Sequence, residues 1–398
     1  MNNYLQLRDC ISLFGGGTPS KQNPEYWNGK IAWASVKDLK SSRLQNTQDS
    51  ITELGLSNSS SRLVKAGSII IATRMAVGKA VITDIDVAIN QDLKAIVCKE
   101  TIDVKYLFYF LLSSGSELDK VSSGATVKGI KLNHILDLQI PLPPLTEQKQ
   151  IAAILDAADK LRQKDQQLVQ HYTALSQSLF LDMFGDPVSN SMRWEKKTLS
   201  CFIESLETGT SVNSSDEKYS FNKFGILKTS CVYTGEFRAT EAKVIRDDEY
   251  DRMKLNPRRD SIIISRMNTT ELVGKSAYIA RDYPNLFVPD RLWLSNKSNL
   301  DQNVRWLSFA ISLNSFMHEI SKISSGTSGS MKNISKKNFL SLPMIYPPAE
   351  LQNQFAERVE VIEKQKQQAQ MNLEKSEMLF NSLLQRAFTG ELTVNKAA

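Results

Sequence analysis

Residues 143–184 have the sequence PPLTEQKQIAAILDAADKLRQKDQQLVQHYTALSQSLFLDMF. Two consecutive prolines cannot lie inside a helix, although they can precede one. From Thr146 to Phe184 the chain contains neither glycine nor proline. Apolar side chains then follow alternating steps of three and four residues, with Asp165 as the polar interruption: Ile154, Ala158, Leu161, Leu168, Tyr172, Leu175 and Leu179. The spacing predicts a helix of about 58 Å with a heptad-like seam.

The same pattern returns at an offset of 204 residues, from Pro347-Pro348 to Phe388. The second seam is interrupted by Lys366 and Ser376, and its apolar positions are Phe355, Val359, Ile362, Ala369, Leu373, Phe380 and Leu383. Neither helix could bury its seam alone, so we expect the two to pack on each other in an antiparallel pair. The alternative is that each helix folds back on its own globular domain.

The duplication extends over almost the whole chain. Leu7, Ile11, Gly17 and Thr18 recur as Leu199, Ile203, Gly209 and Thr210; Ile69-Ile70-Ile71 recurs as Ile262-Ile263-Ile264; Arg74-Met75 recurs as Arg266-Met267; Val77-Gly78-Lys79 recurs as Val273-Gly274-Lys275; and Ser122-Ser123-Gly124 recurs as Ser324-Ser325-Gly326. The offset drifts from 192 to 204, as small insertions in loops would produce. The chain is therefore predicted to be two copies of one fold in a pseudo-twofold arrangement.

Each copy begins with a globular part in which short β-branched runs alternate with Gly, Ser and Asn. Such runs occur at 68–71, 95–97 and 261–264, and helical patches occur at 104–112 and 304–311. This mixture predicts α/β or α+β domains. The predicted organisation is a first globular domain (1–144), a central helix (145–185), a second globular domain (186–348), a C-terminal helix (349–392) and a tail (393–398).

Composition excludes several classes of protein. No apolar run approaches the roughly 18 residues that span a bilayer, and the N-terminus lacks the layout of a signal peptide. The four cysteines form no Cys-x-x-Cys pair, and the three histidines form no cluster with metal-ligand spacing. We expect a cytoplasmic protein without a disulfide framework, a metal site or a membrane partner.

Charge is distributed unevenly along the chain. The net charge is +6, yet the helical segments 145–185 and 350–391 together carry nine basic and twelve acidic side chains. The excess of positive charge therefore lies on the globular parts, which favours a polyanionic partner there.

Two motifs and the duplication carry a resemblance to a known family. Residues 143–152, PPLTEQKQIA, resemble the start of the central helix in specificity subunits of type I restriction-modification systems, and residues 14–20, FGGGTPS, resemble the opening of a target recognition domain in that family. The second copy departs from the first motif, because Ala349-Glu350-Leu351 follows its prolines. The likeness covers essentially the whole chain.

The resemblance implies a DNA-recognition subunit that is not itself an enzyme. Each globular domain would bind one half of a bipartite target in double-stranded DNA, and the paired helices would fix the gap and dock two methyltransferase subunits. Restriction subunits would be further partners. S-adenosylmethionine, ATP and Mg²⁺ would belong to the partner subunits, with no cofactor in this chain. The alternatives are a stand-alone bivalent DNA-bridging protein and a self-sufficient nuclease or methyltransferase.

Sequence-specific recognition needs donors aimed at base edges and cations that contact phosphates. The polar and basic loops of the two copies offer these candidates: Ser35, Lys37, Arg74, Lys79, Lys128, Lys131, Lys228, Ser230, Arg266, Lys275, Lys332, Lys336 and Lys337. Arg74 and Arg266 are singled out because each closely follows a strand that is expected to be buried. The alternative for each is an ion pair with a carboxylate of the fold.

Three patterns resemble catalytic or phosphate-binding motifs without completing them. The Val-Gly-Lys triplets lack the first glycine of a phosphate loop, since Thr73 and Thr269 stand there, so each lysine either contacts a DNA phosphate or lies in a plain turn. Asn23-Pro24-Glu25-Tyr26 lacks the second proline of a methyltransferase motif. Asp186 with Glu195 and Lys197 resembles a nuclease site but lies in a linker. The Ser-Gly stretches 122–124 and 324–330 are either flexible linkers or loops that order on DNA.

Overall fold

The computed structural model describes residues 4–124, 128–326 and 331–392. The chain divides into two compact units, one made of Met1–Gln167 with Gln370–Ala398 and the other of Leu168–Ala369. The predicted tail, 393–398, and residues 327–330 of the second Ser-Gly stretch lie outside the described residues.

The first unit contains eleven strands within the described residues: β1 (Tyr4–Gln6), β2 (Ile11–Gly15), β3 (Trp27–Ala34), β4 (Arg43–Leu44), β5 (Asp49–Ile51), β6 (Arg62–Val64), β7 (Ile69–Ala72), β8 (Ala80–Thr83), β9 (Val87–Ile89), β10 (Leu93–Cys98) and β11 (Gln139–Pro141). Its helices are α1 (Leu7–Cys10), α2 (Glu53–Ser57), α3 (Val104–Ser113), α4 (Gly115–Lys120), α5 (Leu132–Leu136) and the first part of α6 (Leu145–Phe184).

Two sheets of four or five strands form most of the globular part of the first unit, and β1 pairs with β11 in a third, two-stranded sheet. The larger of the first two has the strand order β2-β10-β7-β8-β4, and the smaller has the order β5-β3-β9-β6. Within β7, Ile69 and Ile71 pack into a core with α3, whereas Ile70 and Ala72 pack into a second core on the opposite face. The sheet is covered on both faces, which explains why the strand is a continuous apolar run rather than an alternating one.

The second unit contains twelve strands within the described residues: β12 (Lys196–Thr198), β13 (Ile203–Thr208), β14 (Ser214–Lys218), β15 (Gly225–Leu227), β16 (Ala242–Ile245), β17 (Ser261–Ser265), β18 (Met267–Asn268), β19 (Ser276–Ile279), β20 (Leu286–Phe287), β21 (Leu292–Lys297), β22 (Lys332–Asn333) and β23 (Pro343–Ile345). Its helices are α7 (Leu199–Phe202), α8 (Val304–Ser312), α9 (Asn314–Ile323), α10 (Lys336–Leu340) and the first part of α11 (Ala349–Thr389).

The first sheet of the second unit repeats that of the first unit. Its order is β13-β21-β17-β19, which corresponds strand by strand to β2-β10-β7-β8, and every pairing is antiparallel in both. The helix that follows is capped alike in both units: Asp103 accepts hydrogen bonds from the first turn of α3, and Asn303 accepts one from the first turn of α8. The predicted duplication and the predicted mixed fold are confirmed.

The second sheets share three strands and differ in the fourth. The shared strands are β5-β3-β9 in the first unit and β16-β15-β20 in the second, with β3 parallel to β9 and β15 parallel to β20. Beyond them, the first unit adds β6 against β9, whereas the second adds β14 against β16. The copies have therefore diverged most in this sheet and its loops.

The two long helices are confirmed, and each begins directly after its double proline. In the first unit the guanidinium of Arg162, on α6, lies 5.1 Å from the ring centre of Phe380, on α11. In the second unit the ring of Phe180, near the end of α6, lies 5.3 Å from that of Phe355, near the start of α11. The start of one helix thus meets the end of the other, which is an antiparallel pairing.

The predicted seam is correct for α11 and wrong for much of α6. On α11, five of the seven predicted positions are buried, and Ile362 and Leu383 are half-buried. On α6, Ile154, Leu161, Leu168 and Leu175 are exposed. Of the predicted positions Ala158 is buried, and the buried side of α6 otherwise carries side chains outside the predicted seam, among them Ile151, Leu155, Ser176, Phe180 and Phe184. The reason is that both ends of α6 close the cores of globular domains, and this packing rotates the heptad leucines to the outside.

Candidate nucleic-acid interface

Several loops of the first unit are joined by hydrogen bonds at one edge of the larger sheet. The turn between β7 and β8 is bound to the segment before α5, because the amide of Met75 donates to the carbonyl of Lys128 at 3.0 Å. The amide of Thr73 donates to the carbonyl of Asp92 at 2.9 Å, and that of Asn90 donates to Ala34 at 3.0 Å. These bonds place the loops around 35, 74, 91 and 129 beside one another.

A glycine-rich loop completes this edge. The amide of Gly17 donates to the carbonyl of Ile89 at 3.0 Å, and the hydroxyl of Thr18 donates to the side-chain oxygen of Gln91 at 2.5 Å. A Cβ atom at Gly16 would overlap the backbone carbonyl of Ile89, so only glycine permits this approach. The motif FGGGTPS is therefore needed to bring its loop against the end of β9.

The second unit builds the same edge from other residues. Gly209 lies against the carbonyl of Val288, where a Cβ atom would overlap that oxygen. The hydroxyl of Tyr233 accepts a hydrogen bond from the side-chain amide of Asn268 at 2.9 Å and lies 2.9 Å from the hydroxyl of Thr229. Ile89 and Val288 are equivalent because each lies four residues before the next strand, β10 or β21. Gly209 therefore corresponds to Gly16, and the pairing of Gly209 with Gly17 was wrong by one residue.

The pairing of Arg74 with Arg266 is likewise wrong by one residue. In the first unit the carbonyl of Thr73 accepts a hydrogen bond from the amide of Ile130 at 2.9 Å. In the second unit the equivalent bond runs from the amide of Ile334 to the carbonyl of Arg266, at 3.0 Å. Arg266 therefore occupies the position of Thr73. The one-residue error arises because the equivalent strands β7 and β17 align at an offset of 193 residues, whereas the identical Arg-Met pairs that follow them align at an offset of 192.

The two arginines consequently have different surroundings. The guanidinium of Arg74 forms an ion pair with Asp92 at 3.4 Å while 53% of its side chain remains exposed. The Nε of Arg266 is buried and has no hydrogen-bond partner among the described residues. The alternative considered for both arginines, an ion pair with a carboxylate of the fold, thus occurs at Arg74.

Most of the remaining candidates form bonds within the fold. The hydroxyl of Ser35 donates to Asp38 at 3.1 Å within a helix cap, and that of Ser230 donates to Glu241 at 2.6 Å. Four of the lysines form partly exposed ion pairs or donate to carbonyl groups: Lys37 with Asp49 at 2.8 Å, Lys128 with Asp119 at 3.7 Å, Lys228 with Glu241 at 3.6 Å, and Lys332 with the carbonyl of Gly326 at 2.9 Å.

The other lysines differ in exposure. Lys336 donates to the carbonyl of Leu206 at 2.6 Å, and Lys275 is half-buried. Lys79, Lys131 and Lys337 are exposed and form no ion pair within the described parts of the chain.

The incomplete catalytic motifs have structural roles. Asn23 accepts the amide of Glu25 at 3.1 Å and begins a short 3-10 helix. Asp186 accepts the amides of Val188 at 2.9 Å and Ser189 at 3.0 Å within a turn. Where residues are described, no group of three or more His, Cys, Asp or Glu side chains could hold a metal ion. Nor does any described helix have the length and hydropathy needed to cross a membrane.

A repeated glutamine went unnoticed in the sequence. The side-chain oxygen of Gln148 accepts the amide of Asp103 at 2.8 Å, and its nitrogen donates to the carbonyls of Thr101 at 3.0 Å and Pro143 at 2.8 Å. Gln352 makes the equivalent bonds to Asn303 and Pro347. Both side chains are fully buried, and their common offset of 204 could have revealed them.

A repeated ion pair also went unnoticed. Lys105 on α3 pairs with Asp156 on α6, and the equivalent Arg305 on α8 pairs with Glu363 on α11 at 2.5 Å. Burial raises the pKa of Glu363, and the charge of Arg305 opposes that increase. The guanidinium of Arg305 also lies 4.8 Å above the ring of Tyr278. In each unit this ion pair joins a helix of the globular domain to a long helix.

Comparison with solved structures defines the class of fold. A crystal structure of the S subunit of a type I restriction-modification system from M. genitalium superposes with a TM-score of 0.60, at 14% sequence identity, over 97% of this chain and 96% of that one. The fold, with its duplicated domains and two long helices, is that of an S subunit.

Sequence comparison identifies a family to which part of the chain is similar. Residues 3–170 match a family model described as "Type I restriction modification DNA specificity domain". This match agrees with the resemblance that the sequence predicted.

Curated relatives carry the corresponding names. The specificity subunit of the type I restriction enzyme EcoR124I/EcoR124II from Escherichia coli is 36% identical over 165 residues, which are 40% of this chain and 41% of that protein. The MjaIX specificity subunit from Methanocaldococcus jannaschii is 29% identical over 186 residues, 46% of this chain and 43% of that protein. The matched region thus spans about two fifths of the length of these relatives.

Proposed function

We propose that this chain is the DNA-specificity subunit of a type I restriction-modification complex that acts in the cytoplasm. Residues 1–144 and 186–348 are the two target recognition domains, and each binds one half of a bipartite site in double-stranded DNA. The helical segments 145–185 and 349–392 set the gap between the halves. The observation that carries this proposal is the loop edge, meaning the edge of the sheet where the loops around residues 17, 35, 74, 91 and 129 meet, which recurs on the same sheet order in the second unit. In addition, residues 3–170 match a DNA specificity domain.

The loop edge has two kinds of side chain suited to DNA. Exposed lysines without an ion-pair partner, Lys79, Lys131 and Lys337, contact phosphates, because their charge is not offset by a carboxylate. Side chains fixed by the fold, such as Arg74, contact base edges. Ser35 and Ser230 shape the loops rather than contact DNA, because their hydroxyls are bonded within the fold.

The chain acts without catalysing a reaction itself. Adenine methylation would be performed by methyltransferase subunits that bind S-adenosylmethionine. DNA cleavage would be performed by restriction subunits that use ATP and Mg²⁺. The motifs that resembled catalytic sites serve as turns and caps, which supports this division of roles.

A surface suited to docking one of the methyltransferase subunits lies on α6. Ile154, Leu161, Leu168 and Leu175 are exposed there at intervals of seven residues, with exposed fractions of 36–50%. A regular heptad stripe on an exposed helix is the surface that a helix of another chain buries in a coiled coil. The occupant is therefore a helical segment of a methyltransferase subunit.

The stripe is not reproduced on α11. At the offset of 204, the counterparts of the first three positions are Arg358, Gln365 and Asn372. We expect the two helices to bind their methyltransferase subunits with unequal affinity, the α6 side more tightly.

Co-expression with the methyltransferase subunits of the same host tests the function. We expect a complex of one chain with two methyltransferase subunits that methylates adenine in a split, asymmetric motif, detected by single-molecule sequencing of plasmid DNA. A chain that binds DNA at two sites but never copurifies with a methyltransferase would instead be the stand-alone bridging protein. Methylation or cleavage by the chain alone would overturn the non-catalytic assignment.

Leu161→Asp tests the docking surface, with Gln365→Asp as its matched control at the counterpart position. Leu161→Asp places a charge in the coiled-coil contact and should weaken binding of one methyltransferase subunit at least tenfold, as measured by analytical ultracentrifugation. Gln365→Asp should change it less than threefold. Equal effects of both variants, or none from Leu161→Asp, would rule out the α6 stripe.

A further inference from the structure

The turn after β7 holds Arg74 on a rigid backbone. Thr73 is bonded on both sides, since its amide donates to the carbonyl of Asp92 and its carbonyl accepts the amide of Ile130, both at 2.9 Å. Two residues after Thr73, the amide of Met75 donates to the carbonyl of Lys128 at 3.0 Å. The Cα atom of Arg74 therefore lies between anchored peptide groups, and its side chain starts from a fixed position.

The far end of the Arg74 side chain is held by a carboxylate that is itself fixed. Asp92 is 13% exposed and forms the ion pair with Arg74 at 3.4 Å. Its other oxygen accepts the side-chain amide of Asn90 at 3.2 Å, and its own backbone amide donates to the side-chain oxygen of Asn90 at 3.0 Å. Because a guanidinium has five donors, the contact with Asp92 leaves donors directed at solvent.

The ion pair makes Arg74 better suited to a base than to a phosphate. A carboxylate within 4 Å offsets most of the charge that would attract a phosphate, whereas it fixes the plane in which the remaining N–H groups point. Two parallel N–H groups match the O6 and N7 acceptors of guanine in the major groove. Lys79, at the other end of the same turn, is exposed and has no ion pair within the described residues, so it fits a phosphate.

Met75 lies next to this guanidinium in an unusual conformation. Its φ of 66° is in the left-handed region, which non-glycine residues occupy rarely and at a cost of about 1–2 kcal/mol. Its side chain is 66% exposed. Strain of this kind persists at positions where ligands are bound, and an exposed apolar side chain beside a donor can contact a thymine methyl group.

We propose that Arg74 is a specificity-determining residue that contacts one guanine of the first half-site, and that Asp92 is its positioning residue. This rests on the proposed function. The second unit has Met267 and Asn268 at the equivalent positions. The side-chain nitrogen of Asn268 donates to the hydroxyl of Tyr233, and its side-chain oxygen accepts the backbone amide of Thr269. The guanine contact therefore belongs to one half-site only.

The test is selection of bound sequences from a random duplex DNA pool by the full chain in complex with its methyltransferase subunits. For the wild type we expect a bipartite consensus with a G·C pair in one half. Arg74→Ala and Arg74→Lys should both lower discrimination at that pair about 5- to 150-fold, the range of one bidentate base contact. The other positions, including the whole second half-site, should be unchanged.

Asp92→Asn separates positioning from structure. This variant should lower the discrimination between bases at the same single position. Its non-specific DNA binding should become tighter, because a negative charge has been removed beside the DNA. Lys79→Ala is the matched control from the same turn: it should weaken binding to all sequences, with a shallower dependence on salt and an unchanged consensus. Thermal unfolding of each variant establishes that it is folded.

An unchanged consensus for Arg74→Ala would overturn the proposal. A uniform loss of affinity for Asp92→Asn, with specificity retained, would overturn the positioning role. The absence of any bipartite consensus for the wild type would instead count against the proposed function, so the two failures are distinguishable.

Discussion

Single residues at the domain edges decide whether the loops can approach each other. Gly16 and Gly209 occupy equivalent places, and each faces a backbone carbonyl that leaves no room for a Cβ atom. The same close approach in both units shows that the glycine is required by the fold rather than by one loop conformation.

Gly16→Ala is expected to lower the free energy of unfolding by at least about 2 kcal/mol, because the added Cβ overlaps the carbonyl of Ile89. Urea unfolding followed by circular dichroism measures the change. Gly115→Ala is the control: it has open space around its Cβ position and lies in α4, so alanine should be neutral or stabilise by up to about 1 kcal/mol. Equal stability of the two variants would contradict the steric argument.

Gln148 joins α6 to the globular domain through a single buried amide. Replacing it by alanine leaves the amide of Asp103 and two carbonyl groups without partners, at about 1–3 kcal/mol for each unsatisfied group. We expect Gln148→Ala to destabilise the chain by at least about 3 kcal/mol in chemical denaturation. Gln150→Ala, two residues further along and exposed, should change stability by less than about 0.5 kcal/mol.

At the scale of elements, the long helices complete the cores of the globular domains. Phe184 lies 5.8 Å from the ring of Trp306 in the second unit, and its counterpart Phe388 lies 5.2 Å from the ring of Tyr106 in the first. The last turn of each long helix therefore packs at the equivalent position of a globular core. Each core is completed by a long helix as well as by its strands.

Truncating Phe388 should open a cavity between α11 and α3, because its ring contacts those of Tyr106 and Phe110. We expect Phe388→Ala to cost about 3–5 kcal/mol, measured as a fall in the unfolding midpoint. Leu379→Ala on the same helix removes an exposed side chain and should have almost no effect. A small effect of Phe388→Ala would mean that the C-terminal turn contributes little to the core.

At the scale of the whole molecule, the first unit is assembled from two segments distant in sequence, whereas the second unit is one continuous segment. The first unit combines residues up to 167 with the C-terminal part of α11, and the second is built from the intervening chain. The beginning and the end of the chain therefore share a core, in which Leu7 and Phe388 both take part. Truncation at either end would remove part of the same domain.

The proposed spacing role of the helices gives a prediction at this scale. Inserting four residues at matched places in α6 and α11 lengthens each helix by about 6 Å, which corresponds to one or two base pairs at about 3.4 Å each. The preferred gap in the methylated motif should lengthen by that amount. Sequencing of the modified bases checks this. An insertion in α6 alone is the control, and it should abolish pairing of the helices rather than shift the gap. Full activity at the original gap would exclude a rigid spacer.

The sequence by itself determined the duplication, the mixed fold and the two long helices. These depend on patterns within single segments: the prolines before each helix, the absence of Gly and Pro inside it, and the continuous apolar run of β7. Local chemistry of this kind acts through backbone geometry and needs no knowledge of distant neighbours. The copies could be aligned for the same reason, although only to within one residue around Gly16 and Arg74.

Only the tertiary structure decided what each side chain contacts. The heptad leucines of α6 are exposed because the ends of the helix must also cover two globular cores, which the periodicity of one segment does not contain. Arg266 is half-buried and occupies the position of Thr73, because the pairing of strands sets which residues are equivalent and the order of residues in the sequence does not. Arg74 gained its fixed direction from Asp92 and Asn90, which are close in space through strand pairing across the sheet.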